Sequence, residues 1–176
     1  MLVIVDNGNG QELASMVRMQ HVVAKPDKIP DKASAFILSD GSLSNQKANE
    51  KIIGKTDKPV LGVGAGCLFI GTAFGASVKS VPKVEKQEKI MLKKPCPLTV
   101  DMKKALLVFE KYQNVFDELP ENLGIVASSP KYEYEIIQEM EKPFFGVHFL
   151  PEKGGDGRTV LANFERFVEI WGKYHR

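Results

Sequence analysis

The feature that most constrains this chain is a rhythm of short apolar runs, each stopped by a turn and followed by a segment with helical spacing. "LVIV" at 2–5 stops at Asp6-Asn7-Gly8, "SAFILS" at 34–39 at Asp40-Gly41, and "KPVLGV" at 58–63 at Gly64. Unbroken apolar runs of this length suit strands buried on both faces. Between them, residues 11–20 predict a helix, "NQKANEKIIG" at 45–54 predicts a second with Gly54 as its C-cap, and residues 66–75 a third. A β-α-β-α order places the strands parallel in one sheet, with helices over its faces and right-handed crossovers.

From residue 77 to 140 the pattern changes. Candidate strands at 88–92, 104–109, 123–128 and 132–137, separated by proline-containing turns, predict an antiparallel extension. The lysines between Lys79 and Lys94 alternate with Glu85 and Glu88, as on a solvated edge. "KPFFGVHFL" at 142–150 returns to a nearly continuous apolar run and reads as a central strand. Behind "GGDG", residues Val160, Leu161, Phe164, Phe167, Val168 and Trp171 repeat at helical spacing, which predicts a final helix with its aromatics in the core.

With 176 residues, 43% hydrophobic and 26% charged, the chain has material for one well-buried domain over 1–176, and no linker divides it. A net charge of +2 provides no uncompensated strip for nucleic acid. No stretch reaches membrane-spanning length, and the five-residue apolar opening is too short for a signal peptide. The two cysteines, Cys67 and Cys96, are expected to be reduced thiols, which points to a cytoplasmic protein. His21, His148 and His175 are too scattered for a metal-ligand spacing, so neither a metal nor a cofactor is expected.

Ligands of open parallel sheets sit beyond the carboxyl ends of strands, which draws attention to "PVLGVGAGCLFIGTAFG" at 59–75. Gly62, Gly64 and Gly66 form G-x-G-x-G, but the sixth position is Cys67 and no acidic partner follows about twenty residues on, so the dinucleotide fingerprint fails. A phosphate-binding loop also fails, because no Gly-Lys-Ser/Thr follows. What remains is a nucleophile elbow, a strained strand-to-helix turn flanked by glycines. Its tip, Gly64, has no side chain.

Five motifs in order extend that reading over nearly the whole chain: "VIVDNG" at 3–8, "ILSDG" at 37–41, the elbow, "ELPENLGIVASSP" at 118–130 and "GVHFLPE" at 146–152, with "GRTVLANF" closing. On these the chain resembles the class I glutamine amidotransferases, most closely the separate glutaminase subunits of archaeal GMP synthetases. The resemblance implies an α/β, three-layer, flavodoxin-like fold with a mainly parallel central sheet and an antiparallel extension. It also implies where the chemistry should lie. Gly62 and Gly66 match the glycines flanking the family's nucleophilic cysteine, which falls on Gly64, and the catalytic histidine falls on Leu150. Of the triad only the acid, Glu152, is kept. The substrate-holding glutamine falls on Leu68, the first glycine of the oxyanion-side pair on Asp40 beside Gly41, and the family's "SHxD" stretch reads "KYQN" at 111–114.

A thiol attack needs a thiolate and a base, and glycine and leucine supply neither. The expectation is a catalytically degenerate amidotransferase-like protein that binds or regulates. It would dock a synthetase-type subunit or a second copy, or hold a small molecule or anion over the elbow, with Asp40, Gly41, Gly62, Gly66 and Leu68 as binding positions. The alternative is an active glutaminase with a relocated dyad. Cys67 lies three residues past Gly64, and His148 lies two before Leu150 with its side chain on the same side of the strand. A third possibility is another hydrolase or transferase on the same fold, using Asp6, Asp40 or Glu152.

Overall fold

The computed structural model describes residues 1–175. In chain order the elements are β1 (Leu2–Val5), α1 (Gly10–Ala14), β2 (His21–Ala24), β3 (Ala35–Leu38), α2 (Gln46–Lys55), β4 (Val60–Val63) and α3 (Ala65–Ala73). There follow β5 (Ser77–Leu92), β6 (Ala105–Glu118), β7 (Leu123–Ser128), β8 (Ile136–Glu139), β9 (Phe144–Val147) and α4 (Gly157–Tyr174).

An apolar run can bury its backbone only by pairing on both sides, and the short runs do so. All nine strands form one sheet in the order β2-β1-β3-β4-β9-β8-β7-β5-β6. The first five are parallel neighbours and the rest antiparallel. β1, β3, β4 and β9 are buried at every position. Alternation divides their side chains between two cores. Leu2, Ile4, Ile37, Leu61 and Phe145 pack with Leu13 of α1 and Val160 and Phe164 of α4. Val3, Val5, Leu38 and Phe144 pack with Ile53 of α2 and Phe69 of α3. The result is the expected three-layer α/β fold, a mainly parallel sheet with an antiparallel extension. None of the helices described is long and apolar enough to cross a membrane. Cys67 and Cys96 are both free and buried.

Several expectations are corrected. The helix expected over 11–20 ends at Ala14, because the backbone amides of Arg18 and Met19 are claimed by the Glu165 carboxylate of α4 at 3.0–3.3 Å. That contact turns the chain back into β2, an unexpected fifth parallel strand. Gly54 lies inside α2, and the cap is Thr56 in extended backbone. The candidate strands at 88–92 and 104–109 are parts of two long strands that form the β5–β6 hairpin. Its register slips between Ser80 and Val84, where Pro82 has no amide to offer. Strand β8 begins at Ile136 rather than at 132, and β9 ends at Val147. In α4, Phe167 and Trp171 are only partly buried, and Trp171 stacks on His175 at 3.6 Å rather than entering the core.

Candidate functional site

The elbow is intact as architecture. Gly64 joins β4 to α3 at φ 57°, ψ −118°, a conformation that strains any residue with a side chain. Its amide donates to the Val147 carbonyl at 2.9 Å, which ties the tip to the end of β9. The flanking glycines are steric necessities: a Cβ on Gly62 would lie 2.3 Å from the Gly66 carbonyl oxygen, and one on Gly66 2.1 Å from that of Leu38. Their absence of side chains lets the first turn of α3 sit against β3 and β4.

The tip is not empty space. A Cβ on Gly64 would meet Asp40 Oδ1 at 2.5 Å, Cγ at 2.7 Å and Cβ at 2.9 Å. Asp40 follows β3, and its Oδ1 accepts from the Ala65 amide at 2.8 Å. The carboxyl group therefore occupies the space that a side chain on Gly64 would need and takes a donor at the start of α3. At Ala65 the donor that an anion over the elbow would use is taken by the chain's own carboxyl. Burial pushes the Asp40 carboxyl above the usual range. The adjoining loop is fixed from the other side, since the Asn9 amide donates to the Asp40 carbonyl at 3.1 Å. Gly41 passes so close to Asn7 that a Cβ would lie 1.8 Å from its carbonyl oxygen.

Leu150 and Glu152 lie just beyond β9. Leu150, where the resemblance places the base, is buried in the core with Phe149, and its amide donates to the Phe109 carbonyl at 2.9 Å. Glu152 accepts from Asn9 Nδ2 at 2.8 Å through Oε1, while the buried Oε2 has no partner among the described residues. Burial raises its pKa to about 7. The side-chain partner of this carboxyl is thus an asparagine rather than an imidazole. Asp6 is committed elsewhere: it accepts from the Gly8 and Gly10 amides and pairs with Lys25 at 2.8 Å, and its contact with Lys25 holds its carboxyl below the usual range.

Cys67 and His148 are both fully buried, and no hydrogen bond joins them. Cys67 packs against β9, its sulfur 2.6 Å from where a Gly146 Cβ would be, and burial pushes the thiol far up, away from the reactive thiolate. The His148 ring packs against both Tyr112 and Tyr132, with centroids at 4.4 and 4.6 Å. Its Nε2 contacts the Asn114 carbonyl at 3.0 Å, and burial lowers its pKa to about 4. Leu68 is buried at the edge of a cavity of about 210 Å³ beside the elbow, which Asp40, Gly41, Gly64, Lys111, Tyr112 and Asn114 also line. Of the expected site residues, the fold thus gathers Asp40, Gly41, Gly64, Leu68 and His148 at one cavity. Gly62 and Gly66 support it from behind.

Sequence reasoning missed Asn9, and it gave Lys111 only as the first residue of "KYQN", with no binding role. Asn9 had a visible signal, since it sits in the turn directly after β1. Lys111 reaches the cavity only because β6 is longer than its apolar part suggested.

Comparison with known proteins accords with this geometry. The sequence profile of glutamine amidotransferase class-I matches residues 4–168. A glutamine-hydrolyzing GMP synthase subunit of Pyrococcus abyssi is 30% identical over 184 aligned positions, covering 94% of this chain and 97% of that protein. The corresponding subunit of Methanosphaera stadtmanae is 30% identical, covering 76% of this chain and 74% of its own. Among solved structures, one from Thermoplasma acidophilum ascribed to a GMP synthase subunit superposes with a TM-score of 0.92 at 22% identity, over 98% of this chain and 96% of that one. At that identity the likeness concerns the fold.

Proposed function

The chain belongs to the class I glutamine amidotransferase family, and from that premise we propose that it is a catalytically silent member acting by binding. The observation that carries this reading is the placement of Asp40. A family site that had merely lost its thiol would leave a hole, whereas here a carboxyl group is seated 2.5–2.9 Å from where the thiol-bearing Cβ would stand. Opening a carboxamide requires a nucleophile, a base to take its proton and donors for the oxyanion. Gly64 offers no nucleophile, Leu150 no base, and the Ala65 amide is engaged by Asp40. The buried Cys67 and His148, with no hydrogen bond between them, lend no support to a relocated dyad.

Two binding roles follow. A relative covering nearly the whole chain is named as one subunit of a GMP synthase, which supports docking onto a synthetase-type subunit in the cytoplasm. The cavity, lined by Lys83 and Lys111 as well as Asp40, suits a small molecule bearing an anionic group. The test is ammonia release from glutamine by the purified chain, first by itself and then mixed with a synthetase-type partner. No release above background is expected in either case. Partner-dependent release abolished by Cys67→Ala would overturn the proposal.

A further inference from the structure

We propose that Glu110, Glu135 and His148 form a binding site for one divalent first-row transition-metal ion. The site is independent of the elbow reading, since none of the three replaces a family catalytic group.

Glu110 lies on β6, Glu135 immediately before β8 and His148 immediately after β9. Backbone bonds fix their approach: the His148 amide donates to the Glu135 carbonyl at 2.9 Å, and the Glu135 amide to that of Ala127 at 3.1 Å. The three side chains bring one potential ligand atom each to within 4.8 Å of one another. Ligand bonds of about 2.1 Å put neighbouring donors of a tetrahedral ion roughly 3.4 Å apart, so shifts of an ångström or so would close the set.

The residues are 1%, 0% and 1% exposed. Glu110 Oε1, Glu135 Oε2 and His148 Nδ1 have no hydrogen-bond partner among the described residues, one orphan from each residue. No described ion pair involves either carboxylate, and nearby Lys86 is engaged with Glu88 at 2.9 Å. Because a carbonyl can only accept, His148 Nε2 carries the proton toward Asn114, and Nδ1 presents a lone pair.

Two carboxyl groups in a dry pocket need either a proton or a cation between them. A shared proton could bridge two of the three orphaned acceptors and would leave the third bare. One divalent ion would satisfy all three and bring two carboxylates and a neutral imidazole to zero net charge. The supporting contacts are those of a ligand set: the Asn114 carbonyl orients the imidazole, and Ser129 Oγ donates to Glu135 Oε1 at 3.0 Å. His148 and Tyr112 also line the elbow cavity, which offers the ion a way in. Imidazole with two carboxylates suits Zn²⁺ or Mn²⁺ better than Mg²⁺.

The experiment strips the purified full chain with chelator, dialyses it against Zn²⁺, Mn²⁺ or Mg²⁺, and counts retained metal by plasma mass spectrometry. The expected result is one Zn²⁺ or Mn²⁺ per chain, a higher melting temperature on loading, and affinity reduced at least about tenfold in Glu135→Gln and His148→Gln. A wild-type chain retaining no transition metal, or folded variants retaining as much as wild type, would overturn the proposal. Should the variants fail to fold, anomalous scattering from Zn²⁺-loaded wild-type crystals decides. A peak among these three side chains supports the site, and a peak elsewhere or none refutes it.

Discussion

At the scale of single residues the proposed silence of the elbow rests on a coupled pair. Restoring a side chain at Gly64 forces a Cβ into Asp40 at a φ of 57°, so Gly64→Cys is expected to cost about 1–3 kcal/mol or more. Asp40→Gly alone removes the carboxyl's bond to the Ala65 amide and costs about 1–3 kcal/mol. The double variant removes the clash, so its loss falls short of the sum of the two single losses in urea unfolding. Simple additivity would mean that the side chains do not compete for the same space. A second expectation concerns Glu152. Its pKa rises from 4.5 to about 7 on folding, chiefly through burial, with Asp40 and Glu12 opposing its charge and Asn9 favouring it. A raised carboxyl contributes stability that is fully present below the unfolded pKa and is lost as pH rises through about 7. Glu152→Gln, which can still accept from Asn9, should lose that dependence, by at most about 3 kcal/mol between pH 4.5 and 8. Unfolding midpoints at several pH values, compared between the two proteins, read it directly. The identities at 64, 68 and 150 were legible in the sequence because the flanking motifs fix the alignment. The seating of Asp40 was not, because the direction of its side chain is set by the close passage of Gly41 over Asn7, a contact across thirty-odd residues.

At the scale of elements, the parallel half was legible and the antiparallel half only partly. Runs such as "LVIV" and "AFIL" are apolar throughout because both faces are covered, and that pattern needs no tertiary knowledge. The β5–β6 hairpin hides its length because most positions of β5 are exposed or half-buried, so no apolar run marks its outer part. Likewise β2 is half-buried along its whole length and lies at an edge, where its short sequence "HVVA" carries little signal. Two consequences belong at this level. Amides of the outer part of the hairpin, around Lys79–Glu85, should exchange with solvent hydrogen much faster than those of β1, β3, β4 and β9. Uniform protection would indicate that something covers the hairpin. Gly62→Ala should destabilise by about 3 kcal/mol or more, because its Cβ meets the backbone oxygen of Gly66 rather than a side chain that could move. A fall in melting temperature of several degrees would register it, and an unchanged value would mean that the elbow backbone yields.

At the scale of the molecule, the fold is that of the class I glutamine amidotransferases, and the proposal is that the groups performing their reaction are replaced. On the proposed reading, sheet, elbow turn and cavity serve binding, with the Asp40 carboxyl and the Leu150 alkyl group at the positions where the family resemblance places thiol and imidazole. The cavity carries charged groups and adjoins a buried cluster of two glutamates and a histidine, and on that reading binding is chemically open to it while amide hydrolysis is not. The most direct test of that claim is intact-mass analysis after incubation with a glutamine-mimicking electrophile that alkylates amidotransferase thiols, with and without a synthetase-type partner present. The predicted result is no adduct at neutral pH on the folded chain. A single adduct mapped to Cys67, formed rapidly and blocked by glutamine, would contradict it.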